Sequence, residues 1–167
     1  MVVARGDVWL AALDPTNMLW QHDLSVTLER LGDFHQDEND LVAALAAHDR
    51  SRLLRETIVA LDPENLSRQR DLGVAIERVG DVKLAMGDRD GARAMYEAAL
   101  RLRQSLLAAD PTVLQYQRDA GYSYLGMADL LGSDGDLAAA EPLLAEAVAL
   151  RGQIVGAMPN DIQANRE

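Results

Sequence analysis

Pro15, Pro63, Pro111 and Pro159 stand 48 residues apart, three times over. A fixed period in this range marks a chain built of stacked supersecondary units, because one such unit cannot bury its own apolar face. The period holds for other residue classes. The same offsets from each proline give Gln21, Gln69 and Gln117, then Asp23, Asp71 and Asp119, then Asp33, Asp81 and Asp129. Further along come Asp40, Asp88 and Asp136, Ala44, Ala92 and Ala140, and the pairs Leu54-Arg55, Leu102-Arg103 and Leu150-Arg151.

Each unit reads as two helices. In the second, Leu72, Ala75, Ile76, Val79, Val82 and Met86 follow the three-and-four spacing of a helix face. Gly87-Asp88-Arg89-Asp90-Gly91 combines a turn with a helix N-cap. A second stripe runs through Ala92, Met95, Tyr96, Ala99, Leu102, Leu106 and Ala109. Asp110-Pro111 ends it, since a residue before proline is biased away from the helical region. No segment alternates with period two, so no sheet is expected. The spacing predicts helices A over about 16–35, 64–86 and 112–132, and helices B over about 40–61, 89–109 and 137–157, with bounds good to about 2–4 residues.

Val79-Gly80, Gly87, Ala92, Tyr96 and Ala99 in the second unit resemble the tetratricopeptide repeat pattern of small and aromatic positions. Leu31-Gly32 and Ala44 match in the first unit, where His48 and Ser51 replace the aromatic and the alanine. Ala128, Gly135, Ala140, Leu144 and Ala147 match in the third. The usual repeat has about 34 residues. The extra length here divides into roughly two helical turns at the start of helix A and two at the end of helix B, which keeps the apolar stripe in phase. The resemblance implies an all-α fold, an α-solenoid of antiparallel helical hairpins in a superhelix. It is similar to the long repeats of large bacterial multidomain proteins.

The expected organisation is a single repeat domain over 1–167. Residues 1–14 end a preceding helix B. Repeats follow at 15–62, 63–110 and 111–158, and 159–167 open a truncated fourth. Neither end reads as a polar cap. That suggests a fragment of a larger bacterial protein, with open array ends able to form a homo-oligomer.

Composition narrows the partners. The chain is 49% hydrophobic and 26% charged, so it is globular. It has no cysteine, which excludes disulfides and thiolate metal sites. The N-terminus lacks the apolar core of a signal peptide, and no run reaches a membrane span, so the chain reads as cytoplasmic. Arg supplies fifteen of its sixteen basic residues, Lys83 the other, a bias that fits a GC-rich bacterial gene. A net charge of −11 disfavours nucleic acid and anionic membranes, and attracts basic partners at long range.

No nucleophile motif, phosphate loop or acid–base constellation is present, so no enzyme activity and no cofactor are expected. His22, His35 and His48 are thirteen residues apart and do not share a helix face, so they make a poor metal site. Asp88-Arg89-Asp90-Gly91 faintly suggests a calcium loop, but its twelfth position is Ala99. Turn formation and N-capping account for these residues.

A non-catalytic protein–protein interaction scaffold is therefore expected. The alternative is a self-assembly or regulatory element of a multidomain effector whose catalytic domain lies elsewhere. The resemblance implies ligand contacts on the concave face of helix A. These are three residues before the packing glycine and one after it: Glu29 and Asp33, Glu77 and Asp81, Leu125 and Asp129. Five of the six are acidic, pointing to a basic protein or peptide. Symmetry about the proline turns also predicts salt bridges of Arg55 with Asp71, Arg103 with Asp119 and Arg151 with Glu167. Gly32, Gly80 and Ala128 are expected where helices approach closely.

Overall fold

The computed structural model describes Leu13, Asp14 and residues 16–157. They form six helices: α1 (Met18–Asp37), α2 (Leu41–Leu61), α3 (Leu66–Ala85), α4 (Arg89–Ala109), α5 (Leu114–Ser133) and α6 (Leu137–Ala157). There is no strand among the described residues. The protein is all-α, a repeat of helical hairpins in which α1, α3 and α5 are A helices and α2, α4 and α6 are B helices. The six helices of the three predicted hairpins are present, with bounds within two residues of those expected. The predicted helix over 1–14, Trp9, both outer proline turns and the segment 159–167 lie outside the described residues, Leu13 and Asp14 apart.

The A-to-B turns repeat atom for atom. Asn39, Gly87 and Gly135, again 48 residues apart, take positive φ values of 58°, 82° and 85°. The next residue reaches back over the helix end. Asp40 N donates to His35 O, Asp88 N to Lys83 O, and Asp136 N to Leu131 O, at 2.8–2.9 Å. This left-handed closure satisfies carbonyls orphaned by the helix C-terminus. The same aspartates then cap the B helices. Their Oδ1 atoms accept from the main-chain N–H of Ala43, Gly91 and Ala139. That explains the periodic Asp40, Asp88 and Asp136, including the apparent calcium loop at Asp88.

The B-to-A turns explain the periodic glutamines. Gln69 Nε2 donates to the carbonyl of Pro63 at 2.6 Å, and Gln117 Nε2 donates to that of Pro111 at 2.8 Å. Asn65 caps α3 by accepting from Arg68 N, whereas Val113 precedes α5 without a side-chain cap.

The chain divides into two compact units, one ending at Ala99 and one beginning at Leu100, so α4 contributes to both. In the first unit α1 packs on α2 and α2 on α3. Trp20 and Leu54 cover Leu24 and Leu28. Gly80 lies against Tyr96, where an added Cβ would come within 2.8 Å of the ring. Gly32 lies equally close to the His48 ring, at 2.6 Å. In the second unit α5 packs on α6. Its core joins Leu100, Ala120, Tyr124, Ala147 and Leu150, with Leu107 and Leu143 packed against it. Pro142 sits inside α6, where its ring leaves the Ala138 carbonyl without the usual main-chain donor.

Candidate functional site

The six residues predicted for ligand contact stand on the A helices. Glu29 and Asp33 are on α1, Glu77 and Asp81 on α3, and Leu125 and Asp129 on α5. Their environments differ sharply. Glu29 is half-buried and ion-paired with Arg55. Asp81 Oδ1 accepts a 2.7 Å hydrogen bond from the Tyr96 hydroxyl. Burial and the neighbouring Asp81 and Glu77 charges push the Tyr96 phenol well above its usual range, so it remains a neutral donor.

Asp33 is more open. Its Oδ1 lies 4.0 Å from Arg78 Nε on α3 and 3.7 Å from His48 Nε2 on α2. His48 occupies the same repeat position as Tyr96, and Asp33 the same position as Asp81. The imidazole stops short of a hydrogen bond, and the buried Nε2 finds no partner. Burial lowers the His48 pKa, outweighing the opposing pull of Asp33, while Arg78 and Arg55 add to the lowering. In the second unit Leu125 is partly exposed beside a groove, and Asp129 is exposed on α5.

The predicted pairing about the proline turns has the right register, and in the first pair the arginine reaches a main-chain group of its partner. Arg55 Nη1 donates to the main-chain carbonyl of Asp71 at 2.8 Å, and its ionic partner is the Glu29 carboxylate. Arg103 Nη1 likewise donates to the carbonyl of Asp119 at 2.9 Å, and to Ser123 Oγ at 2.8 Å. The Asp119 carboxylate accepts from Gln115 Nε2. Both arginines are buried, at 6% and 4% relative accessibility. Each lies in the seam where a B helix meets the following A helix, with its guanidinium on that helix's main chain. Glu167, the predicted partner of Arg151, lies outside the described residues.

Around Arg55 a buried polar cluster forms that the sequence reading missed. Arg55 Nε donates to Ser25 Oγ at 3.3 Å, Ser25 Oγ donates to the His22 carbonyl, and Ser51 Oγ donates to the Ser25 carbonyl at 2.8 Å. The recurring arginine was the available signal. A basic residue at a fixed point of every B helix, flanked by core leucine, belongs to the packing seam.

What this arrangement offers chemically is a set of carboxylates on A helices. Glu29 is paired internally, Asp33 is partly exposed with Arg78 Nε at 4.0 Å, and Asp129 is exposed. No helix among the described residues is long and apolar enough to cross a membrane. Residues 75–111 and 121–162 match the family model of the tetratricopeptide repeat. No curated protein matches the chain.

Proposed function

From the tetratricopeptide repeat match over residues 75–111 and 121–162, we propose that this chain is a cytoplasmic, non-catalytic scaffold whose A-helix faces take a basic protein segment. Repeats of this family generally mediate protein–protein interaction and are generally non-catalytic. The observation that carries the basic preference is the exposure of the Asp129 side chain and the partial exposure of Asp33 on a chain of net charge −11. Glu29 and Asp81 are already held by Arg55 and Tyr96, which leaves Asp33 as the more accessible acid of α1 and, in the other unit, Asp129 as that of α5.

The test is a peptide-array screen followed by titration of the best peptide at two salt concentrations. Arg- or Lys-rich peptides are expected, with affinity falling as salt rises. Asp33→Asn with Asp129→Asn should weaken binding. A preference for acidic peptides, or binding unchanged in the double variant, overturns the reading.

A further inference from the structure

His48 holds a titratable ring inside the first repeat. It is 1% exposed, and its Nε2 has no hydrogen-bond partner. Three of its ring atoms lie against Gly32 on α1, within 2.7 Å of where a Cβ would stand. That close fit fixes the ring between α1 and α2. A buried polar atom left unpaired in this way is uncommon and calls for an explanation.

The next repeat supplies one. Tyr96 occupies the same repeat position as His48, and its hydroxyl donates to Asp81 Oδ1 at 2.7 Å. Burial and the Asp81 and Glu77 charges keep that phenol protonated, so this clasp from B helix to A helix is permanent. In the first repeat the clasp stands open. Nε2 is 3.7 Å from Asp33 Oδ1, and the same oxygen lies 4.0 Å from Arg78 Nε on α3. Asp33 is the freer member, with its side chain 44% exposed. Four charges face the imidazole: Asp33 and Glu29 from α1, Arg78 from α3, and Arg55 from α2 itself. Glu29 and Arg55 are paired with each other, so Asp33 is shared between Arg78 and the ring. An imidazolium donates from both nitrogens, whichever one carries the proton in the neutral ring.

We propose that protonation of His48 closes this clasp, drawing Asp33 off Arg78 and out of the face that takes a basic segment. Mild acid then makes the first repeat release its partner, while the Tyr96 clasp of the second repeat does not change. The release, though not the clasp, rests on the scaffold reading above. Burial lowers the His48 pKa, which puts the transition below about 6.5. By reciprocity, a basic segment seated at Asp33 holds the ring neutral.

Nuclear magnetic resonance of the free chain between pH 7.5 and 5.5 tests the clasp. The Asp33 carboxyl carbon should shift in step with the His48 ring, and His48→Gln should abolish that step. His48→Tyr, which keeps a ring in the Gly32 opening, replaces it if the glutamine variant does not fold. Asp33→Asn should lower the His48 midpoint, since it removes the charge that favours the imidazolium. An Asp33 carbon that ignores the His48 midpoint, or a midpoint unmoved by Asp33→Asn, overturns the proposal. Titration with an oligoarginine peptide tests the release. Its affinity for the parent should fall about two- to fivefold between pH 7.5 and 5.5, and saturating peptide should lower the His48 midpoint in return. His48→Tyr should remove most of that pH dependence. The same fall in both proteins, or no fall in the parent, overturns the release. Absence of binding at either pH overturns the scaffold reading and the release with it, while the carbon titration still decides the clasp.

Discussion

Tyr96 donates its hydroxyl to Oδ1 of Asp81 at 2.7 Å, closing a hydrogen bond from a B helix to the A helix of the same repeat. One repeat earlier His48 faces Asp33 with a 3.7 Å gap and an unsatisfied Nε2. His48→Tyr should close that gap, because Gly32 leaves the same opening for a ring that Gly80 leaves for Tyr96. A gain of about 1 kcal/mol is expected from the new hydrogen bond, read as a higher denaturant midpoint. A midpoint below the parent's would show that the first repeat cannot accept the phenol.

The same histidine sets a pH dependence. Its folded pKa lies below the unfolded value of about 6.5 because burial disfavours the imidazolium. The unfolded chain therefore binds the proton more readily in the window below 6.5. Stability is fully present above that window and falls as pH drops through it toward the folded pKa. Melts at pH 7.5 and 5.5 should diverge in the parent and converge in His48→Tyr. Equal shifts in both proteins would assign the effect to other groups.

Gly80→Leu should destabilise the fold by about 1–3 kcal/mol through overpacking. A Cβ there already meets two Tyr96 ring carbons at 2.8 and 2.9 Å and Met95 Cβ at 3.2 Å. A thermal melt checks it. Gly126→Leu, whose Cβ would meet nothing within 4 Å, is the control expected to stay near the parent.

Arg55→Ala should cost about 3–5 kcal/mol, since it strands the Glu29 carboxylate and the Asp71 carbonyl in the seam. Arg55→Met with Glu29→Met should recover much of that loss, because an apolar pair of similar volume needs no ionic partner. Urea denaturation of the three proteins decides it. No recovery in the double variant would mean that the Asp71 carbonyl contact carries the energy.

Gly87→Ala should cost about 1 kcal/mol, because Gly87 has φ of +82° and an added side chain there is strained even in open space. Asn39→Gly, at the same turn one repeat earlier, should be neutral or slightly stabilising. Parallel thermal melts give both values.

The fold was legible because its determinants are local and periodic. The proline turns, the apolar stripes and the aspartate caps each recur at 48 residues, and each acts within a few residues of itself. The Gly80–Tyr96 approach was legible as a pairing of small with aromatic residues. The site was less so. Spacing placed Arg55 opposite Asp71 and Arg103 opposite Asp119, but it cannot tell a carboxylate from the carbonyl of the same residue. Nor did it separate Glu29, consumed by Arg55, from Asp33, which stays accessible, since both read simply as acids on an A helix. The left-handed Asn39 escaped notice because asparagine carries that conformation less conspicuously than the glycines at 87 and 135.

Arg55 and Arg103 each hold the following A helix by a carbonyl, a group every amino acid possesses. At the residue that receives this bond, the side chain is not what is gripped. A gene segment encoding one such unit can drift at Asp71 or Asp119 and still offer that acceptor to the arginine before it.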